Sequence, residues 1–284
     1  METVAVLGMG LLGRGFAENL LEKGHAVRVW NRTASRCAPV VEAGATHAES
    51  PAAAVEGADR VHLVLAADAA VDAVLEQLRP SLGADTFVVD HSTNLPAGVA
   101  ARFERVRADG VKYVHAPVFM GPSNSRDATG LMLLSGPTED EAVLRPKLEA
   151  MTGKLLFLGT APDQAAKIKI TGNGLLIMMI AAMGDLFTMG EASGLSPEEV
   201  LALFEQFQPT AVGMGKRALQ ATERPVGFEM TMARKDVRLM IETAGGPDKL
   251  TVLPAVAATM DAIIEAGHGD KDWAYLGDPK RSKG

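Results

Sequence analysis

Val4-Ala5-Val6-Leu7-Gly8-Met9-Gly10-Leu11-Leu12-Gly13 opens the chain as an apolar run of strand length that breaks into G-x-G-x-x-G. Phe16, Ala17, Leu20 and Leu21 follow at helical spacing, with Gly24 as C-terminal cap. A second strand, Ala26 to Trp30, then runs into Asn31-Arg32-Thr33. Strand, glycine turn, helix and strand make one βαβ unit. In that setting Gly8 suits the tight turn, Gly10 allows backbone to approach a pyrophosphate, and Gly13 allows close helix–strand packing. Met9, Leu11 and Leu12 lie in the same turn and are read with it as cofactor-binding. The helix N-terminus adds unpaired N–H groups and a positive dipole end. The plain alternative is a glycine turn without a ligand.

The end of the second strand speaks to the kind of dinucleotide. A carboxylate there accepts hydrogen bonds from a ribose and repels a 2′-phosphate. This chain carries Asn31 and Arg32, and a guanidinium attracts phosphate with forked donors. The residues therefore predict NADP over NAD, with Asn31, Arg32 and Thr33 in the site. Leu65 and Ala66, at the end of a strand read over Arg60–Leu65, are further cofactor-side candidates, since ligands of doubly wound sheets bind at the carboxyl ends of strands.

A length of 284 residues allows a large core and two domains. The net charge of −7 argues against a nucleic-acid partner. Cys37 is the single cysteine, which excludes an internal disulfide, fits a reducing cytoplasm and reads as a small buried hydrophobe. The first residues already form a strand and do not read as a signal peptide. The most apolar stretch, Leu175 to Met183, is too short for a bilayer and reads as a buried helix, so no membrane partner is expected. Six histidines are scattered without metal-ligand spacing, and no metal is expected.

Strands are expected over Arg60–Leu65, Thr86–Asp90, Val111–His115, Leu131–Ser135 and Leu155–Leu158, alternating with helical patterns, and Ser50-Pro51 reads as a helix start. Alternation of this kind implies a doubly wound parallel α/β sheet of the Rossmann type. Beyond Pro162 no strand pattern remains. Asp163–Ser193 reads as one long helix, Ser196-Pro197-Glu198-Glu199 starts another, and Gly227-Phe228 precedes a third. The expected organisation is a dinucleotide-binding domain over 1–160 and an all-helical domain over 161–284. The long helix is apolar on more than one face, which predicts a homodimer; a compact monomer covering the same helix is the alternative.

Chemistry-bearing residues gather at the later strand ends. Asp90-His91-Ser92-Thr93-Asn94 follows one strand, and Ser92 and Thr93 there can face nicotinamide or substrate, or simply cap the next helix. The next strand ends in Ala116-Pro117-Val118-Phe119-Met120-Gly121, where Gly121 either presents a bare N–H to a substrate carboxylate or is a turn glycine. Lys169 and Asn173 share a helix face, and a lysine flanked by Ile168 and Ile170 suits proton transfer. Arg234-Lys235-Asp236, taken alone, reads as a solvent-facing charge run.

Taken in order, these motifs resemble the β-hydroxyacid dehydrogenases, the family of 3-hydroxyisobutyrate dehydrogenase and the glyoxylate/succinic semialdehyde reductases. The resemblance covers essentially the whole chain. It includes the opening glycine motif with Ala17, Asn19, Leu20, Gly24 and Val27, and the Asp90-x-Ser92-Thr93 loop. It includes Ala116-Pro117-Val118 with Gly121 and Gly130, then Lys169-x-x-x-Asn173, and Phe228 with Lys235-Asp236. Trp30-Asn31-Arg32-Thr33 is similar to the NADP-preferring form. By this resemblance Lys169 and Asn173 are catalytic. Phe228 and Lys235 join Thr93 on the cofactor side, and Ser92, Thr93, Phe119, Met120, Gly121, Asn173 and Asp236 line the substrate.

Two departures stand out. The family's P-V-S-G-G is Pro117-Val118-Phe119-Met120-Gly121 here, and the first of its two asparagines after the lysine is Gly172. The resemblance implies an NADP-dependent oxidoreductase acting on an aldehyde, ketone, semialdehyde or hydroxy acid, with Lys169 as acid/base. One alternative is an imine reductase-like enzyme for bulkier apolar substrates. Imine reductases typically carry Asp or Tyr at the lysine position, whereas the apolar loop favours them. The other alternative is a non-catalytic NADP-binding interaction module.

Overall fold

The structure, a computed structural model, describes residues 1–283. Its first part runs β1 (Thr3–Leu7), α1 (Leu11–Glu22), β2 (Ala26–Trp30), α2 (Ala38–Glu42), β3 (Thr46–His47), α3 (Pro51–Val55), β4 (Arg60–Leu63), α4 (Asp68–Leu78), β5 (Phe87–Asp90), α5 (Pro96–Ala108) and β6 (Lys112–His115). It continues with β7 (Val118–Phe119), α6 (Pro122–Arg126), β8 (Leu131–Leu134), α7 (Thr138–Glu149) and β9 (Lys154–Phe157). The rest is helical: α8 (Gln164–Ala192), α9 (Pro197–Phe207), α10 (Pro209–Leu219), α11 (Met230–Thr243) and α12 (Leu253–Ile263).

Six strands form a parallel sheet in the order β3-β2-β1-β4-β5-β6. Chain order reverses between β1 and β4, which creates the crevice where doubly wound sheets bind ligands. The strands are apolar on both faces, as parallel strands covered twice must be. Val4, Val6, Val29 and Val89 pack with Phe16, Ala17 and Leu20 of α1. Ala5, Leu7, Val61, Leu63 and Val88 pack on the opposite face with Val71, Leu75 and Leu78 of α4. Ser50 caps α3 by accepting from Ala53 N at 3.1 Å, with Pro51 at the first helical position. Cys37 is buried, and burial pushes its thiol up.

One sequence expectation is corrected. The Leu131 and Leu155 segments do not extend the parallel sheet. They form a separate three-stranded sheet, β7-β8-β9, in which β7 runs antiparallel to β8 and β8 parallel to β9. Pro117 explains the break. It has no N–H for the ladder, so β6 ends before it, and beyond it the chain runs on as β7 in the same antiparallel register against β8 that His115 already shares with Ser135. An isolated bridge, His115 to Ser135, links the two sheets.

The chain divides into two compact units, residues 1–169 and 170–284, and the division falls inside α8. In the second unit Ile170, Ile177, Ile180, Met183 and Phe187 form the buried stripe of α8. Gly215 of α10 lets Met183, Phe187 and Leu201 close in, since a Cβ there would lie 2.3 Å from Leu201 Cδ2. Leu175, Leu176 and Met189 of the same helix remain exposed. The helix is also longer than its apolar centre. At 29 residues it passes a membrane span in length and composition, yet nearly half of its most apolar window is buried within the protein, as in a core helix. A capping box, Ser196 with Glu199, starts α9 as its sequence predicts. Asp272 ties the segment before α11 to the C-terminal turns by accepting from Arg217, Gly227 N and Ala274 N.

Candidate active site

Three glycines of the β1–α1 turn play three different parts. Gly8 has φ +105°, and a Cβ there would lie 2.2 Å from Val64 O. A Cβ on Gly13 would lie 1.8 Å from Gly8 O. Both are required by the fold itself. Gly10 has ordinary extended backbone, φ −77°, and a Cβ there would meet nothing within 4 Å. Nothing in the protein requires a glycine at this position, so the open space beside it fits an approaching ligand. Gly10 is also the N-cap of α1, with no side-chain cap and no acid in the first turn. The first amides of a 12-residue helix therefore face an anion without competition. The cradle fits the pyrophosphate of a dinucleotide.

Asn31 is spent on this turn. Its Oδ1 accepts from Met9 N at 3.0 Å and its Nδ2 donates to Thr33 O at 2.9 Å, so it pins the glycine turn to the end of β2. Arg32 and Thr33 are exposed beside it, and Arg32 makes no ion pair among the described residues. Leu11 is exposed, Leu12 packs partly on the core, and Met9 is buried.

The loop after β5 is held from below. Asp90, fully buried, accepts from Ser92 N at 2.9 Å, from Asn94 Nδ2 at 2.9 Å and from Tyr113 OH at 2.8 Å. Asp68 accepts from Leu95 N at 3.0 Å. Ser92 is buried, and its Oγ accepts from Leu65 N at 2.9 Å, so its hydroxyl joins two strand-end loops. Neither Ser92 nor Thr93 caps α5, whose N-cap is Leu95. Thr93 sits partly exposed on this braced loop, and Ala66 is exposed next to Leu65.

Three histidines that are scattered in sequence meet beneath these loops. His91 Nδ1 lies 2.6 Å from Ala116 O, and a carbonyl only accepts, so Nδ1 carries the proton. His91 Nε2 is then an acceptor, and His62 Nδ1 donates to it across 2.8 Å. His115 Nε2 donates to Ser92 O at 3.0 Å. Burial holds all three rings neutral. His91 is lowered to about 4, His62 lies well below its ordinary value, and His115 is lowered. Sequence reading missed these residues. The available signal was polar residues inside apolar strands, such as His62 between Val61 and Leu63.

In the loop after Pro117, the turn-glycine reading is the one that describes Gly121. Its N–H donates to Asn124 Oδ1 at 2.9 Å, so it begins α6 and is not offered to a substrate. Asn124 Nδ2 is engaged with Thr129 Oγ1 at 2.9 Å, and the buried Ser125 Oγ with Pro122 O at 2.9 Å. Phe119 turns its ring to Lys169, whose Nζ lies 4.1 Å from the ring centroid. Met120 packs against the core beneath. Helix α6 locks onto α1, where Gly15 leaves room for Ser125 and Asn19 Nδ2 donates to Arg126 O at 2.7 Å. The loop after Pro117 is thereby registered to the helix of the glycine motif.

Lys169 is 8% exposed on α8, and Asn173 follows one turn later. In the second unit Asn173 Nδ2 donates to Asp236 Oδ2 at 2.7 Å. Lys235 Nζ lies 2.7 Å from Asp236 Oδ1 in an ion pair that is not an aligned hydrogen bond. The 234–236 run is therefore not solvent-facing as read. Asp236 is 1% exposed, and Arg234 grips Asp261 through two bonds of 2.8 and 2.9 Å. Asp236 holds Asn173 rather than standing open. Phe228 is partly buried near Trp273, 6.4 Å between ring centroids, and its carbonyl accepts from Trp273 N at 2.8 Å. No group of three or more potential metal ligands occurs among the described residues.

A dinucleotide cradle on a doubly wound sheet, followed by a helical unit, defines an NAD(P)-binding oxidoreductase. Comparison with known proteins agrees. The NAD binding domain of 6-phosphogluconate dehydrogenase matches residues 3–159. Glyoxylate/succinic semialdehyde reductase 1 of Arabidopsis thaliana is 29% identical over 96% of each chain. The Mycobacterium tuberculosis 3-hydroxyisobutyrate dehydrogenase structure superposes with a TM-score of 0.83 at 22% identity, covering 97% of this chain and 98% of that one. The Myxococcus stipitatus imine reductase in complex with NADP+ gives a TM-score of 0.65 at 19% identity, covering 96% and 98%. The chain belongs to the β-hydroxyacid dehydrogenase family.

Proposed function

We propose that this chain is an NADP-dependent oxidoreductase that interconverts a carbonyl compound and its alcohol, with Lys169 as acid/base. One observation carries the reading: a lysine nine-tenths buried, one helical turn before an asparagine whose amide is oriented by a buried carboxylate. NADPH, when bound, supplies the hydride. Lys169 donates the proton to the oxygen that gains charge as hydride reaches its carbon. In the oxidative direction its neutral amine accepts the hydroxyl proton. Asn173, held by Asp236, orients the lysine or the substrate oxygen. The glycine turn and the first amides of α1 bind pyrophosphate, and the exposed Arg32 grips the 2′-phosphate. Lys235, Phe228, Leu65 and Ala66 are further cofactor-side residues, and Thr93 serves cofactor or substrate.

A second reading, reduction of imines or of bulkier uncharged carbonyls, is favoured by the loop. Phe119 has no donor, and the N–H of Gly121 is already spent on Asn124. A substrate carboxylate brought there loses hydration without compensation. Absorbance at the NADPH band with glyoxylate, succinic semialdehyde, phenylacetaldehyde and 1-pyrroline separates the readings. The loop predicts weak turnover of glyoxylate. Glyoxylate turnover at a kcat/KM of about 10⁴ M⁻¹s⁻¹ or more would overturn the apolar-loop reading. NADPH binding without turnover of any of the four would favour a non-catalytic binding module. The exposed apolar residues Leu175, Leu176 and Met189, with Leu203 and Phe207 of α9, support a homodimer through the helical unit. The single, buried cysteine fits a cytoplasmic enzyme.

A further inference from the structure

Phe119 does not disappear into the core. It stands partly exposed at the end of β7, paired with Leu131 of β8. Its backbone is fixed from behind by Gly130, where φ is +84° and a Cβ would lie 3.0 Å from Phe119 O. The ring face meets the ammonium of Lys169 at 4.1 Å from the centroid. An aromatic face is negative, and an ammonium within about 6 Å of the centroid is attracted to it, more strongly where water is excluded. Lys169 is 8% exposed, so the contact is largely dry. A lysine side chain has four rotatable bonds and a point charge, and by itself it aims poorly. The rigid ring, set by a strand ladder, removes that freedom.

We propose that Phe119 is a positioning residue, whose ring face holds the Lys169 ammonium on the line from which it delivers its proton. This rests on the reading of Lys169 as the acid/base. The proton still comes from Nζ, and the ring neither gains nor loses one.

The ring's quadrupole, as distinct from its bulk, is tested by Phe119→Leu, Phe119→Tyr, and Phe119→pentafluorophenylalanine, which keeps the shape and reverses the face charge. Turnover is read with whichever of the four probe substrates above reacts fastest. Loss of a desolvated cation–π contact predicts a kcat about 5- to 30-fold lower in the leucine and fluorinated variants, with KM for NADPH unchanged and tyrosine near wild type. A second readout does not depend on activity. With lysine labelled with ¹³C at Cε, the Lys169 methylene, assigned by its absence in Lys169→Arg, is expected upfield of the surface lysines through the ring current of Phe119. It should return to their position in Phe119→Leu. An unshifted wild-type resonance, or wild-type kcat in both the leucine and fluorinated variants, would overturn the inference. Full turnover in Lys169→Ala, with the Lys169 resonance of the wild-type protein upfield, would instead fail the acid/base reading and leave only the contact standing.

Discussion

Replacing Gly10 by alanine separates cofactor binding from folding, because the structure gives that glycine no packing role. Its backbone is extended at φ −77° and ψ −170°, which alanine adopts freely, and the new methyl meets no atom within 4 Å. Alanine is a poorer N-cap than glycine, by about 0.5–1 kcal/mol. It also restricts the unfolded chain, which is worth about 0.4–1 kcal/mol the other way. The apo protein should therefore keep its melting temperature within about 2 °C. Cofactor binding is another matter. The pyrophosphate must come within about 2.9 Å of the helix amides, and a methyl on Gly10 stands in that path. Losing one charge-assisted hydrogen bond costs about 1.5–3 kcal/mol, roughly 10- to 150-fold in Kd. Gly13→Ala is the control: its Cβ would lie 1.8 Å from a backbone oxygen, so the turn itself must move and the apo protein should lose stability. NADPH fluorescence titration and apo thermal melts read the two effects. Wild-type NADPH affinity in Gly10→Ala would refute the placement of the pyrophosphate.

Arg32→Ala should remove most of a preference for NADPH over NADH, by about 1.5–3 kcal/mol, and comparable wild-type affinity for the two cofactors in a binding titration would contradict it. His91 is held neutral down to about 4 against an ordinary value of 6.5, so the unfolded chain binds a proton between these values that the folded one refuses. Stability is full above about pH 6.5 and falls as pH drops toward 4, by about 2 kcal/mol at pH 5 from this ring alone. His62 and His115 shift in the same direction and add to the loss. Urea midpoints that stay level between pH 7.5 and 5 would contradict this. Light scattering at micromolar concentration should give twice the chain mass of 29.8 kDa, and a monomer mass would contradict the assignment of the exposed apolar residues to a homodimer.

The parts of the fold set by local pattern were legible in the sequence. The β1–α1–β2 unit, the capped start of α3 and the long α8 follow from apolar period, glycine placement and proline at first helical positions. The split into two sheets was not legible, because Pro117 acts by removing a single hydrogen bond in a ladder whose partners are distant in sequence. The same holds for the site. Lys169 and Asn173 show their shared face through spacing alone. The hold of Asp236 on Asn173 spans 63 residues, and the hold of Asn124 on the N–H of Gly121 decides between two readings that residue type alone leaves open. The meeting of His62, His91 and His115 depends on strand register, which no local pattern encodes.

We propose Lys169 as the residue that moves the proton in a dinucleotide-dependent reduction. The most direct test is kcat for NADPH oxidation by Lys169→Ala, measured beside NADPH affinity and beside Lys167→Ala, whose side chain points to a different face of the helix and pairs with Asp163. The account predicts a kcat 10²- to 10⁴-fold lower, in order of magnitude, for Lys169→Ala with NADPH affinity unchanged, and near-normal turnover for Lys167→Ala. Wild-type kcat in Lys169→Ala, or loss of turnover in Lys167→Ala alone, would contradict it.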